Sequence, residues 1–133
     1  MEVLSSRVLL HPRSFDASLD FYCERLGLRI YREYGHAGRR TGVVLFLGGG
    51  FLELVSTPPA EEGPGRPVDL WLQVPDVDAE HGRLAALGLA PRPPELMPWG
   101  LREMWLSDPD GHRVVLVEVP EGHPLRARLS TSP

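Results

Sequence analysis

The sequence contains no lysine: all 14 of its basic residues are arginines. They are scattered among 18 acids, for a net charge of −4. No basic stripe can therefore track a phosphate backbone, which argues against a nucleic-acid partner and leaves a neutral or cationic ligand as the better match. Cysteine is nearly absent. Cys23 alone excludes an internal disulfide and a cysteine-rich zinc site. Its neighbours at helical spacing, Leu19, Tyr22 and Leu26, make it a packing residue rather than a nucleophile. No apolar run approaches the ~20 residues of a membrane span. The start, Met1 to Arg7, carries an early acid and lacks the basic-then-apolar pattern of a secretion signal, so a cytoplasmic location is expected.

What is abundant is punctuation. Glycine and proline contribute 14 residues each to a chain of 133, and they cluster where extended segments must end. Many short elements are implied. Val3 to His11 is β-rich. Ser14 can cap a helix reaching about Arg25, which Gly27 stops, and Leu28 to Tyr34 reads as a strand. Val43 to Leu47 and Phe51 to Thr57 flank the turn Gly48-Gly49-Gly50.

After the proline-rich stretch 58–67 the pattern restarts. Val68 to Val74 is a strand, Asp76 caps a helix to about Leu87, and Ala90 to Leu96 is a proline-damaged strand. Leu101 to Ser107 and His112 to Val119 are strands joined by the turn Asp108-Pro109-Asp110-Gly111. Leu26-Gly27-Leu28 recurs as Leu87-Gly88-Leu89, so an internal duplication of a βαβββ unit is the economical reading. The expected organisation is a first module at 1–57, a linker at 58–67, a second module at 68–119 and a tail at 120–133. Each half alone is too small to bury a comfortable core. Pairing of halves within a chain or between chains repairs this, so a homodimer is expected, with exchange of halves as one form of it.

These residues resemble the vicinal oxygen chelate superfamily, which includes glyoxalase I, extradiol dioxygenases, and fosfomycin and bleomycin resistance proteins. The resemblance covers about residues 3 to 119. It rests on Ser18-Leu19-Asp20-Phe21-Tyr22 leading to Leu26-Gly27-Leu28, on Leu52-Glu53-Leu54-Val55, and on Val74-Pro75-Asp76-Val77-Asp78-Ala79. Pro98-Trp99-Gly100 followed by Asp108-Pro109-Asp110-Gly111-His112 completes it. It implies an α+β fold in which two βαβββ modules form curved, mostly antiparallel sheets around a cavity.

The resemblance also implies four metal-ligand positions, one on the first and one on the last strand of each module. They fall here on Arg7, Glu53, Asp69 and Val115. Arginine and valine cannot ligate a metal, so no metal and no other cofactor is expected. His11, roughly 13 Å further along an extended strand, does not restore the site.

Period-2 alternation then fixes the remaining wall. With Arg7 go Leu9 and His11, with Glu53 go Phe51 and Val55, with Asp69 goes Trp71, and with Val115 go Arg113 and Val117. On the seventh strand Glu103 and Trp105 face the same way, and Trp99 sits in a nearby loop. The candidate ligand-binding set is therefore Arg7, Leu9, Phe51, Glu53, Asp69, Trp71, Trp99, Glu103, Trp105 and Val115. Aromatic faces mixed with carboxylates suit a flat organic ligand. The tryptophans could instead complete a dimer core.

No histidine pairs with a serine or cysteine in a nucleophile motif, and Gly48-Gly49-Gly50 joins two strands rather than opening a helix, so hydrolase and nucleotide functions are excluded and no catalytic residue is assigned. The leading expectation is metal-independent sequestration of a toxic natural product or drug, of the bleomycin-resistance type. The alternative is a lyase, isomerase or dioxygenase-type enzyme using Glu53 or Asp69.

Overall fold

The computed structural model describes residues 2–56 and 67–125. The linker expected at 58–67 and the last part of the expected tail lie outside them, except for Pro67 at one edge. The chain forms two compact units, one from Met1–Pro67 with Asp108–His112, the other from Val68–Ser107 with Arg113–Pro133.

In the first unit, β1 (Arg7–Leu10), β2 (Ile30–His36), β3 (Arg39–Leu47) and β4 (Gly50–Val55) form a four-stranded sheet in the order β1-β4-β3-β2. β1 runs parallel to β4 and the other pairs are antiparallel. Helix α1 (Phe15–Leu19) starts at Ser14, whose Oγ accepts the Ala17 N–H at 3.2 Å. The expected continuous helix to Arg25 is corrected at Asp20, where the chain widens into a π-helix over Asp20–Arg25. Leu26 accordingly donates to the carbonyl of Phe21, five residues back. Gly27, at φ 81°, then turns the chain into β2.

One face of this sheet is apolar over β1, β4 and the middle of β3, with Glu33 of β2 exposed at its edge. Val43, Leu45, Leu52 and Leu54 are fully buried, with Phe21 and Tyr22 in the same core, and each such side chain contributes about 1.5–3 kcal/mol on leaving water. Tyr22 donates to Asp108 Oδ2 at 2.8 Å, and the other oxygen of Asp108 accepts the N–H groups of Asp110 and His112. Burial and this bond to a carboxylate push the Tyr22 phenol far above its ordinary range.

The second unit repeats the plan. β5 (Asp69–Gln73), β6 (Glu95–Leu96), β7 (Arg102–Ser107) and β8 (Arg113–Glu118) follow the order β5-β8-β7-β6, with β5 parallel to β8. Helix α2 (Val77–Ala86) begins where Asp76 accepts the Ala79 N–H and Glu118 accepts the Val77 N–H, each at 3.0 Å. Its side of the sheet buries Leu70, Met104, Leu106, Val114 and Leu116 beside Val77 and Leu84.

Strand boundaries differ from expectation by one or two residues in β2, β4, β5, β7 and β8, and by more in three strands. β1 starts at Arg7 rather than Val3, and β3 starts four residues early at Arg39. β6 shrinks to Glu95–Leu96, because Pro91, Pro93 and Pro94 offer no N–H to a ladder. Among the described residues no helix is long and apolar enough to cross a membrane.

Candidate functional site

The middle of each sheet's helix side is filled by aliphatic residues, so the buried carboxylates Glu53 and Glu103 and the open aromatic rings fall on the opposite faces. On the first face, pairing sets out three rows. Arg7, Phe51 and Phe46 form one, and Leu9, Glu53, Val44 and Arg32 the next; Val55, Gly42 and Tyr34 form the last.

Glu53 lies at the centre and is 7% exposed. Arg7 reaches its Oε1 at 2.6 Å, and the Tyr34 hydroxyl donates to its Oε2 at 2.5 Å. To get there the Tyr34 ring crosses Gly42, where any Cβ would run into the ring. Glycine is thus required at 42 by close approach, at an ordinary backbone angle. The Tyr34 bond and the Arg7 charge hold the Glu53 carboxyl below its ordinary value, while the same bond pushes the Tyr34 phenol up.

Beside this triad the rings of Tyr31, Phe46 and Phe51 cluster, with centroids 4.9–5.9 Å apart. Tyr31 joins them because a register shift between Ile30 and Arg32 breaks the alternation of β2. Arg7 stands 5.8 Å above Phe51 and Arg29 6.0 Å above Phe46.

On the second face the rows are Asp69, Arg113 and Ser107; Trp71, Val115 and Trp105; and Gln73, Val117, Glu103 and Glu95. Arg113 grips Asp69 through two bonds, at 2.6 and 3.2 Å, and lies 4.7 Å over the Trp105 ring. Glu103, 8% exposed, accepts the Trp99 indole N–H at 2.6 Å and the Trp105 indole N–H at 3.1 Å. The rings themselves stay open: Trp71 is 49%, Trp99 55% and Trp105 44% exposed.

Val115 sits between Trp71 and Trp105 but is buried with Leu101, Val117 and Val119, and Leu125 packs against this cluster. His123 fastens that end of the chain. It accepts the Leu125 N–H at Nδ1, so its other nitrogen, Nε2, donates to the Trp99 carbonyl, both at 3.2 Å.

The expected residues are therefore distributed as follows. Arg7, Phe51 and Glu53 share one constellation, with Leu9 exposed at its side. Asp69, Trp71, Trp99, Glu103 and Trp105 share the other, with Val115 beneath. Sequence reasoning missed Tyr31, Tyr34 and Phe46. Tyr34 and Phe46 stand at alternating positions on strands that carry no ligand position to anchor the alternation, and Tyr31 is reached only through the bulge.

The residues at the four family metal positions do not fit a divalent ion. Arg7 and Val115 offer no donor, both oxygens of Glu53 are engaged by Arg7 and Tyr34, and both oxygens of Asp69 by Arg113. Asp76, Asp78 and Glu118 bring carboxylate oxygens within 4.8 Å of one another, yet they serve the start of α2 and a two-bond grip on Arg102.

Two sheets of this order, each with an aromatic and acidic open face, define a glyoxalase-type fold. The chain belongs to the Glyoxalase/Bleomycin resistance protein/Dioxygenase superfamily, whose family model matches residues 6–116. Among solved structures it resembles TnmS3, an antibiotic binding protein from Streptomyces sp. CB03234, at 26% identity and a TM-score of 0.73, covering 90% of this chain and 98% of that one. TioX from Micromonospora sp. ML1 is similar at 24% identity and a TM-score of 0.73, covering 87% and 98%. Lactoylglutathione lyase from Agrobacterium tumefaciens is similar at 21% and 0.67, covering 89% and 94%. At those identities the last two speak for the fold alone. No curated protein matches the chain.

Proposed function

We propose that this chain binds and sequesters a flat organic molecule, a toxic natural product or drug, without a metal and without changing it chemically. One observation carries the reading: the carboxylates at the family metal positions are already held by the protein's own arginines, while aromatic rings on both faces stand half open. Likeness to an antibiotic binding protein supports it. Glu53 is also poorly suited to act as a general base, since its proton affinity is lowered by Tyr34 and Arg7.

Magnitudes bear on how many rings are needed. Covering about 100 Å² of an open indole gives roughly 2.5 kcal/mol at ~25 cal/mol per Å², with ~0.5–1.5 kcal/mol more for favourable stacking. Two rings then yield about 6–8 kcal/mol, against an association cost of ~4–15 kcal/mol. The three open indoles of the second face give about 9–12 kcal/mol on the same count. Even at the lowest association cost that leaves about 5–8 kcal/mol, short of the ~8.2 kcal/mol of micromolar affinity. The functional form is accordingly a homodimer in the cytoplasm, with faces paired to enclose the ligand.

The test is titration of intrinsic tryptophan fluorescence against aromatic antibiotics, with and without chelator, followed by mass analysis of the recovered compound. Unchanged affinity in chelator and unchanged ligand mass are expected. About one bound metal per chain, lost together with binding on chelation, refutes metal independence. A modified compound refutes sequestration in favour of a lyase or isomerase.

A further inference from the structure

Glu103 is a nearly buried carboxylate whose two oxygens face two indole N–H groups. Among the described residues no arginine or histidine forms an ion pair with it, unlike Glu53 and Asp69, which each hold an arginine. Its partner across the β6–β7 ladder is Glu95, so a second carboxylate stands opposite on the same face. Like charges directly opposite in a ladder weaken a sheet. The face thus carries three carboxylates, Asp69, Glu95 and Glu103, against one guanidinium, Arg113, which is bonded to Asp69 and also feels Glu103, so a net negative charge remains.

The two indoles convert that charge into a surface. Each ring is held at one edge through its N–H, while about half of its surface stays exposed. A hydrogen bond from the indole N–H to an anion also draws electron density into the ring, which strengthens its attraction for a cation. The structure already uses one of them in this way, with the Arg113 guanidinium 4.7 Å over Trp105. Trp99 is held by the shorter bond, is 55% exposed, and among the described residues carries neither a stacked ring nor a guanidinium. Its backbone is fixed as well: His123 Nε2 bonds its carbonyl, and the His123 ring lies 3.2 Å from where a Cβ on Gly100 would stand.

We propose that the Trp99–Glu103 pair is the cation-selecting element of this face, and that the ligand group stacked on Trp99 is a positively charged nitrogen, either a protonated amine or a protonated heteroaromatic ring. The inference rests on the reading that these faces bind an aromatic molecule, and adds which charge it carries and which residue reads it. Glu103 acts through the indoles and is a positioning and specificity-determining residue.

The experiment compares two flat three-ring probes on the full chain: 9-aminoacridine, a cation at neutral pH, and 9-anthracenemethanol, which is neutral. The cation should bind roughly five- to thirtyfold more tightly, the range expected of a partly desolvated cation–π contact. That preference should persist in 0.5 M salt, which screens the protein's net charge but not a contact pair. It should fall below about threefold in Glu103→Gln, which loses the charge and puts an NH2 donor in place of one accepting oxygen, and in Trp99→Phe, which keeps a ring but loses the N–H. Trp99 is exposed, so Trp99→Phe decides the matter even where Glu103→Gln fails to fold. Equal affinity of the two probes for the unmodified protein, loss of the preference in salt, or full preference in Trp99→Phe overturns the inference and leaves the binding function standing. Failure of both probes to bind overturns the binding function together with it.

Discussion

Replacing Gly42 by alanine tests whether the Tyr34–Glu53–Arg7 triad is built as described. The new Cβ would occupy the place of the Tyr34 ring, so the ring must swing away and release its bond to Glu53. A hydrogen bond to a charged group is worth ~1.5–3 kcal/mol, reduced here to about 1–2 because Tyr34 is partly exposed. Alanine in a strand returns about 0.5–1 kcal/mol through the unfolded chain. Gly42→Ala should therefore be neutral to destabilising by ~1.5 kcal/mol when Tyr34 is present, and stabilising by ~0.5–1 kcal/mol in a Tyr34→Ala background. A coupling energy near 1–2 kcal/mol follows, measurable by urea unfolding of the four proteins.

The same set has a signature in acid. Because the folded Glu53 pKa lies below its ordinary 4.5, its contribution is fully present above that value and lost as pH falls from about 4.5 through the folded value. Gly42→Ala should shrink that loss. A coupling below ~0.5 kcal/mol, within the additivity expected of independent sites, would mean that Tyr34 does not lie across Gly42.

Tyr22→Phe removes a buried hydroxyl and leaves an Asp108 oxygen unsatisfied, so a loss of ~1–3 kcal/mol is expected in the same unfolding assay. Trp71→Ala and Trp105→Ala should each weaken ligand binding about tenfold, since a lost contact of ~1.4 kcal/mol is a factor of ten. Both rings are half-exposed, so the melting temperature should fall far less than the ~3–5 kcal/mol cost of truncating a core tryptophan implies; the opposite pattern would make them core residues. Sedimentation at micromolar concentration should show a dimer, and a monomer would refute the paired arrangement.

Much of this architecture was legible because alternation is a strong signal once one residue per strand is anchored. With Glu53 and Asp69 taken to one face, alternation assigns Leu52, Leu54, Leu70, Val114 and Leu116 to the other, and all five are buried. The capping residues Ser14 and Asp76 marked both helix starts through the chemistry of their side-chain oxygens. Where the reading fell short, the cause was backbone irregularity or side-chain reach. A π-turn at Asp20 and a bulge at Tyr31 leave no trace in hydrophobic periodicity. That Glu103 holds two indoles, and that Tyr34 spans a glycine to reach Glu53, depends on rotamers and distances that residue spacing does not encode. Val115 was assigned to the wall by register, but only packing shows Leu125 against its cluster.

The first unit is discontinuous in sequence: it includes Asp108–His112, and its most deeply buried aromatic, Tyr22, is bonded to a residue 86 positions away. During vectorial synthesis the amino-terminal sheet and helix can collapse early, yet the Tyr22 hydroxyl has no carboxylate to meet until nearly the whole chain has been made. A contact of such long sequence separation is slow to form and is expected late on the folding path. A break anywhere between 67 and 108 separates the first unit from its own last piece, so the repeated modules, however alike in pattern, are not interchangeable cassettes.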